Sequence, residues 1–216
     1  MTRLAVFDCD GTLVDGQASI CEAMELAFAE AGLPAPERQA IRRIVGLSLP
    51  QAVRLLAPDA AAEQQALAAD RYKTAFRAAR TEGRLHEPLF DGIAEALHSL
   101  HKDGWTLGVA TGKSDRGLAN CLASHGIAHL FSTLQTADRH PSKPHPAMLE
   151  AALAEALADP AQAVMIGDTA YDIDMAKAAG LRALGVAWGY HAPEELIAAG
   201  ADAVAATPGE LMELLT

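Results

Sequence analysis

Residues 4–13 read LAVFDCDGTL, and this stretch decides the fold. Its uninterrupted apolar run, residues 4–7, is typical of a strand buried in a parallel sheet. The run ends in Asp8 and Asp10, and open parallel sheets place their ligands at such carboxyl ends. Because side chains alternate along an extended segment, the two carboxylates lie on one side and repel each other. We expect a cation, a shared proton or a bound ligand to offset this repulsion.

The charge of the chain limits the classes of function. Its 216 residues include 17 Lys and Arg against 28 Asp and Glu, a formal net charge of -11. This balance argues against a partner such as nucleic acid, whose phosphate backbone needs a basic surface. It also means that an anionic substrate must be held by a local site, because the overall field repels it.

Other features of the composition predict the setting of the protein. The three cysteines, an odd and sparse set, favour reduced thiols in a cytoplasmic protein over a disulfide framework. No stretch approaches the ~20 apolar residues of a membrane span, and the N-terminus has no signal-peptide pattern. We therefore expect a cytoplasmic protein without a membrane partner, either a monomer or a weak homodimer.

The order of the predicted elements indicates an α/β fold. Helical patterns without a strand pattern fill residues 15–83, and an alanine-rich helix is predicted from Pro58 to about Glu82. Strand patterns then alternate with helical ones, at residues 106–110, 130–134, 163–166, 184–187 and 203–205. This alternation predicts a doubly wound parallel sheet. Residues 1–14 and 84–216 are expected to form this core, and residues 15–83 an all-helical domain inserted after the first strand.

Three further polar groups follow predicted strands. Thr111 and Gly112 offer a hydroxyl and backbone N–H groups that suit a phosphoryl oxygen, and Lys143 offers a positive charge. Asp168 and Asp172 surround a strand-to-helix turn, where hard oxygen ligands suit Mg²⁺. Each group also has an ordinary explanation, such as a helix cap, a solvated turn or an acid at a helix N-terminus. Their occurrence together and in this order favours a functional site.

These four stretches resemble the four sequence motifs of the haloacid dehalogenase-like superfamily, in content and in order. The resemblance implies a Rossmann-like core in which Asp8 is the nucleophile and Asp10 the general acid/base. It also implies that Thr111 binds a phosphoryl oxygen and that Lys143 balances charge. The implied Mg²⁺ ligands are Asp8, the backbone carbonyl of Asp10, Asp168 and Asp172.

The inserted helices resemble the α-helical cap of the phosphoglycolate phosphatase and β-phosphoglucomutase branch. Arg43 and Ser48 lie close to Gly46 in this cap and are candidate substrate contacts, and a solvated basic turn is an equally good explanation of this stretch. Within the core, the candidates are Gly11, Thr12, Gly112 and Lys113, which surround the implied position of the phosphoryl group.

The resemblance implies a Mg²⁺-dependent phosphatase that acts on a small phosphorylated metabolite through an aspartyl-phosphate. Asp10 favours phosphoryl transfer over dehalogenation, because a halide leaves without a proton. A phosphosugar mutase and a pyrophosphatase remain alternatives. The mutases carry a cap arginine where this chain has Leu49, in the stretch GLSL at residues 46–49. This difference argues against the mutase. A non-catalytic phosphate-binding protein would normally have lost Asp8 or Asp10.

Overall fold

The computed structural model describes residues 2–215, and within them six strands form one parallel sheet. The strands are β1 (Arg3–Phe7), β2 (Trp105–Thr111), β3 (Phe131–Thr136), β4 (Ala163–Gly167), β5 (Arg182–Val186) and β6 (Ala203–Ala205). Their order across the sheet is β3-β2-β1-β4-β5-β6, so β1 is central and lies between β2 and β4. The predicted doubly wound parallel sheet is therefore confirmed.

The α-helices divide into an inserted group and a group that surrounds the sheet. The inserted helices are α1 (Gln17–Glu30), α2 (Arg38–Ile44), α3 (Leu49–Leu56) and α4 (Ala62–Thr81). The others are α5 (Ile93–Lys102), α6 (Asp115–Ser124), α7 (Ala147–Ala156), α8 (Ala170–Ala178), α9 (Pro193–Ala198) and α10 (Pro208–Leu215). Among residues 2–215, no helix combines the length and the apolar character needed to cross a bilayer.

The alternation of side chains along β1 explains why this strand is central. Ala5 and Phe7 pack into the apolar cluster on one face of the sheet, and Leu4 and Val6 pack into the cluster on the other. Both faces are thus buried, as expected for a strand of a parallel sheet. Because β1 runs parallel to β2 and β4, all three carboxyl ends meet at one edge. Asp8 follows β1 at this edge.

The four inserted helices form their own apolar cluster, which we call the cap. Helix α1 packs against α4, and α2 and α3 close the cluster with buried side chains such as Ile41 and Val53. Tyr190, from the core loop after β5, also packs into this cluster. The cap therefore lies against the same edge of the sheet as Asp8.

The predicted boundaries of helices and strands lie within two residues of the observed ones, except at the start of α4. The alanine-rich helix α4 begins at Ala62, because residues 57–60 form a turn in which the Ala60 N–H donates to the Ala57 carbonyl. The Gln65 side chain donates to the same carbonyl at 2.8 Å, which holds this turn against the new helix. Strand β3 extends to Thr136, because its last residues still pair with the end of β2.

Candidate active site

Asp8 is fully buried at the carboxyl end of β1. Its backbone N–H donates to the Ile166 carbonyl of β4 at 2.9 Å, which fixes the strand end. The carboxylate Oδ1 accepts from the Cys9 N–H at 2.6 Å and lies 2.9 Å from Lys143 Nζ. Within residues 2–215, Asp8 Oδ2 is buried and accepts no hydrogen bond. A buried oxygen without a partner is costly, so this atom is the expected point of contact with a ligand.

Lys143 supplies a buried positive charge beside Asp8. Its Nζ lies 2.6 Å from Asp172 Oδ1 and 2.9 Å from Asp8 Oδ1. Burial alone would lower the pKa of the Lys143 ammonium, but Asp172 and Asp8 outweigh burial and the net shift is upward. Burial raises the pKa of Asp8 from 3.8 to about 7, although Lys143 opposes the shift. Lys143 is therefore a cation whose charge favours the ionised form of Asp8.

Asp168 follows β4 at the same edge of the sheet and is held on both oxygens. Its Oδ1 accepts from the Thr12 hydroxyl at 2.8 Å, and its Oδ2 accepts from the Tyr190 N–H at 2.9 Å. A Cβ placed on Gly11, which has φ +86°, would lie 2.1 Å from Asp168 Oδ2. A Cβ on Gly189 would lie equally close to the Asp168 Cβ. The backbone thus encloses Asp168 so tightly that only glycine fits on either side.

Asp172 lies in the first turn of α8 and is held by the start of its own helix. Its Oδ2 accepts from the backbone N–H of Thr169 at 3.1 Å and from the Thr169 hydroxyl at 2.7 Å. Its Oδ1 is left to contact Lys143. These contacts orient the carboxylate towards the strand ends.

We call Asp8, Lys143, Asp168 and Asp172 the strand-end cluster. Oxygen atoms of its three carboxylates all lie within 4.8 Å of one another. Three carboxylates and one ammonium leave a formal charge of -2 when all are ionised. Burial, followed by the charges of Asp8 and Asp172, raises the pKa of Asp168 well above its ordinary value. This donor set of hard oxygens, with the free Oδ2 of Asp8, fits a divalent cation such as Mg²⁺.

Asp10 belongs to a second group of charges, where the core meets the cap. Lys113 Nζ lies 3.0 Å from Asp10 Oδ1 and 2.6 Å from Glu87 Oε1. Glu87, on the segment that returns from the cap, also accepts from the Arg80 guanidinium at 3.2 Å. We call Asp10, Glu87, Lys113 and Arg80 the junction cluster. Its two carboxylates and two cations sum to a formal charge of zero.

The surroundings of Asp10 favour its protonated form. Burial raises the pKa of the Asp10 carboxyl, Lys113 lowers it in part, and the charge of Glu87 raises it again. A group that donates a proton near neutral pH needs such an upward shift. The site therefore holds one carboxylate beside a buried lysine and a second carboxyl whose environment suits proton transfer.

A family comparison agrees with this arrangement of strand ends. A sequence model of the haloacid dehalogenase-like hydrolases matches residues 5–186. The chain belongs to this family. The predicted resemblance is confirmed, as is the prediction of a hydrolase.

Relatives of this haloacid dehalogenase-like chain span nearly its whole length. The probable phosphatase IndB of Dickeya dadantii is 36% identical over 215 residues, which cover 98% of this chain and 93% of the relative. The phosphoglycolate phosphatase of Vibrio parahaemolyticus is 29% identical over 225 residues, which cover 99% and 96%. The structure of a predicted phosphatase from Clostridium acetobutylicum superposes with a TM-score of 0.89 at 25% identity, covering 100% of this chain and 98% of that one.

The structure gives the other predicted core residues distinct surroundings. Thr111 is buried at the end of β2, next to β1, and its hydroxyl accepts from the Lys113 N–H at 3.2 Å. A Cβ on Gly112 would lie 2.4 Å from the Leu47 carbonyl oxygen, so this loop packs directly on the cap. Lys113 is engaged by Asp10 within the junction cluster. Roles for these residues in phosphate binding remain predictions.

The two predicted cap contacts join the cap to the core. The Arg43 guanidinium lies 2.6 Å from Glu195 of α9, and the Arg43 carbonyl accepts from the Tyr171 hydroxyl at 3.2 Å. The Ser48 N–H donates to the Ser142 hydroxyl at 2.8 Å. Neither Arg43 nor Ser48 lines the cavity between the two parts of the molecule. Their role in substrate recognition remains a prediction.

A cavity of about 390 Å³ lies between the cap and the core. Asp10 and Lys113 line its core side, whereas Asp8 lies beneath a segment of the cap, residues 45–48. A Cβ on Gly46 in this segment would lie 3.7 Å from Asp8 Oδ2. The cap side includes Ile20, Met24, Tyr72 and Phe76. Asp10 thus faces the cavity, and Asp8 lies behind it.

Sequence reasoning missed Glu87, Arg80 and Tyr190. Tyr190 follows β5, so the rule that strand ends build the site would have drawn attention to it. Glu87 carries no such signal, because its partners Arg80 and Lys113 lie in the cap and in the core. Only the packing of the two parts brings these charges together.

Proposed function

We propose that this chain is a Mg²⁺-dependent phosphatase that hydrolyses a small phosphorylated metabolite through an aspartyl-phosphate on Asp8. One observation carries the proposal: Asp8 Oδ2 is buried without a hydrogen-bond partner in residues 2–215, within a cluster that holds Lys143. Family membership and the names of the relatives support the reaction class.

In the first half of the reaction, Asp8 attacks the phosphorus atom and the bond to the ester oxygen breaks. Asp10 donates its proton to the departing oxygen, so the product leaves as an alcohol. Lys143 Nζ, 2.9 Å from Asp8 Oδ1, offsets the repulsion between the anionic carboxylate and the anionic phosphoryl group.

In the second half, water attacks the phosphorus atom of the aspartyl-phosphate. Asp10, now a carboxylate, accepts a proton from this water, and the bond between phosphorus and Asp8 breaks. Phosphate leaves, Asp8 regains its carboxylate, and Asp10 again holds the proton for the next cycle. The position of Asp10 on the cavity side supports both roles, because the leaving alcohol and the entering water approach from that side.

The strand-end cluster supplies the residues that would hold Mg²⁺. These are the carboxylates of Asp8, Asp168 and Asp172, together with the backbone carbonyl of Asp10. When bound, the cation neutralises negative charge on the phosphoryl group and on its surroundings. The chain itself fixes the ligands, since Thr12 and the Tyr190 N–H hold Asp168 from two sides.

We infer that residues 15–83 act as a movable cap on the core formed by residues 1–14 and 84–216. Gly46 covers Asp8, so residues 45–48 must shift for a phosphoryl group to reach the nucleophile. The two crossings between cap and core contain Gly16 and Gly83, and Gly83 has φ +68°. Glycine at a crossing can absorb the backbone rotation that cap movement requires.

The same site supports a phosphatase better than a phosphosugar mutase. Leu49 lines the cavity where the mutases of this branch carry an arginine for a second phosphate. An apolar side chain offers no charge to a sugar bisphosphate at that position.

The decisive experiment combines metal removal with replacement of Asp8. EDTA should abolish phosphate release from p-nitrophenyl phosphate, and Mg²⁺ should restore it. Asp8→Asn should reduce turnover by roughly 10⁴-fold or more, the scale seen when a nucleophile is removed. Mass spectrometry after a rapid quench should find an added phosphoryl group on the wild-type peptide that contains Asp8.

Asp174→Asn is the matched control, because Asp174 is exposed on α8 beside the site. This variant should retain wild-type turnover. Full activity in EDTA would overturn the metal dependence. Near-normal turnover of Asp8→Asn, or a phosphoryl group found on a different residue, would overturn the proposed mechanism.

A further inference from the structure

Basic side chains are concentrated around the cavity. The whole chain has 17 basic and 28 acidic residues, yet the cavity lining has five basic residues and two acidic ones. The acidic ones are Asp10 and Asp138. Such a local reversal of charge is what an anionic ligand requires in a protein whose overall field repels it.

Three of these basic side chains are not engaged by any other residue that the structure describes. Within residues 2–215, Lys73, Arg77 and Arg116 form no ion pair and donate no side-chain hydrogen bond. The other two, Arg80 and Lys113, are engaged by Glu87 in the junction cluster. Lys73 and Arg77 come from cap helix α4, and Arg116 comes from core helix α6. Cations from both parts of the molecule therefore remain available at the cavity.

Beside these cations, part of the cap wall of the cavity is apolar. Ile20 and Met24 come from α1, and Tyr72 and Phe76 come from α4. The rings of Tyr72 and Phe76 stack with their centroids 5.6 Å apart. This part of the wall offers a surface for an apolar group.

The position of Asp10 sets the direction in which a substrate lies. Asp10 protonates the leaving oxygen in the proposed reaction, and Asp10 lines the cavity, whereas Asp8 lies behind it. The phosphoryl group therefore lies on the Asp8 side and the leaving group extends into the cavity. About 390 Å³ falls within the range of ~300–1,000 Å³ for clefts that enclose drug-sized ligands. A two-carbon leaving group such as glycolate would leave most of this space unfilled.

We propose that the substrate is a phosphomonoester whose leaving group has an apolar body and carries a second anionic group. The apolar body lies against α1 and α4, and the anion is bound by Lys73, Arg77 and Arg116. This inference rests on the proposed phosphatase function and adds the chemical class of its substrate.

A matched series of esters tests the inference. Linear ω-phosphooxy carboxylates with three, five and seven carbons are compared with alkyl phosphates of the same length, which lack the carboxylate. At the length that spans the cavity, kcat/KM should be about tenfold higher for the carboxylate, the scale expected of two or three partly exposed ion pairs. That ester should also exceed phosphoglycolate.

Variants then assign the effect to the three cations. Lys73→Gln, Arg77→Gln and Arg116→Gln, combined in one chain, should bring the ratio of kcat/KM between carboxylate and alkyl ester close to one. The loss should lie mainly in KM, because the anion is bound away from the reacting atoms. Arg54→Gln is the matched control, since Arg54 is an exposed cap arginine outside the cavity, and it should leave the ratio unchanged.

Two results would overturn the substrate class. One is an equal kcat/KM for carboxylate and alkyl esters at every length, and the other is a preference for phosphoglycolate over every longer ester. A ratio that survives in the triple variant would overturn the assignment to these cations. The failure of the underlying function differs from all of these, because no ester, including p-nitrophenyl phosphate, would then release phosphate.

Discussion

Asp8 and Asp10 are two residues apart, yet they belong to clusters with different charge balance. The strand-end cluster around Asp8 has three carboxylates and one ammonium, a formal charge of -2 when ionised. The junction cluster around Asp10 has two carboxylates and two cations, a formal charge of zero. The excess negative charge of the first cluster suits the bound cation proposed above, whereas the second cluster is already balanced.

The two clusters also differ in which parts of the chain build them. The members of the strand-end cluster all belong to the core and lie at or near strand ends. The junction cluster takes Arg80 from α4 and Glu87 from the segment that returns to the core. Phe76 of the cap packs beside it, with Lys113 Nζ 5.5 Å from the ring centroid. The surroundings of Asp8 are thus independent of most of the cap, whereas those of Asp10 depend on its packing.

Among the tests of this contrast, replacement of Asp10 has the largest expected effect, and the size of the effect depends on the leaving group of the ester. Asp10→Asn keeps the nucleophile but removes the proton that the departing oxygen receives. The kcat/KM for alkyl phosphates should fall by roughly 10²–10⁴-fold, the usual contribution of one acid/base group. The loss in kcat/KM for p-nitrophenyl phosphate should be much smaller, because this constant covers only the steps up to release of the leaving group, and p-nitrophenolate leaves without protonation. Values of kcat/KM for a pentyl and a p-nitrophenyl ester measure the difference.

Asp8→Asn provides the contrast, since it should impair both esters alike. An equal loss in kcat/KM for the two leaving groups in Asp10→Asn would show that Asp10 does not act as the acid. Calorimetric titration with Mg²⁺ would reveal whether the Asp10→Asn variant still binds the cation. Retained binding would exclude a general collapse of its site.

The next effect concerns stability and can be assigned to Asp8 of the strand-end cluster. Burial raises the pKa of Asp8 from 3.8 to about 7, so the folded chain without metal binds more protons than the unfolded chain between these values. The free energy of unfolding should therefore fall as the pH rises through this window, by on the order of 3 kcal/mol between pH 5 and pH 8. Mg²⁺ should stabilise the chain most at pH 8, where the carboxylates are ionised.

Urea unfolding at several pH values, in EDTA and in Mg²⁺, measures this dependence. Asp8→Asn should flatten the slope in EDTA, and the difference between the two proteins isolates Asp8 from other groups. His191 is one such group. Burial lowers its pKa from the ordinary value of 6.5, so its titration makes the folded chain more stable as the pH rises towards 6.5, which is opposite to the effect of Asp8. A slope that is the same in both proteins would contradict the shifted pKa of Asp8.

The contrast between the clusters also explains what the sequence could predict. Asp8, Asp168 and Thr111 follow buried strands, and a parallel sheet brings such ends together, so short apolar runs followed by polar residues identify them. Lys143 lies on a longer loop, so only its place in the order of the motifs predicts that it belongs to the site. The junction cluster depends on how the cap packs, which no local pattern encodes. For the same reason, Arg43 could be identified as a cap residue but not as the partner of Glu195.

The smallest expected effect tests the junction cluster through Glu87. Glu87→Gln removes the negative charge that pairs with Lys113 at 2.6 Å. In the wild type, that charge also raises the pKa of Asp10. The positive charge of Lys113 is then no longer offset by Glu87, so the pKa of Asp10 falls and its protonated form becomes less favourable. A smaller fraction of the enzyme then carries the proton that the leaving group needs, so kcat/KM for alkyl phosphates should fall several-fold, less than in Asp10→Asn. The loss for p-nitrophenyl phosphate should be smaller, because that ester does not need the proton.

Glu25→Gln makes the same chemical change at a pair outside the site. Glu25 lies 2.6 Å from Arg38 on the cap surface, where an exposed ion pair contributes at most about 1 kcal/mol to stability. This control should change neither ester by more than about twofold. If Glu87→Gln matches the control, or slows both esters equally, Glu87 only supports the fold. If it slows the alkyl ester alone, the packing of the cap helps to set the protonation of Asp10.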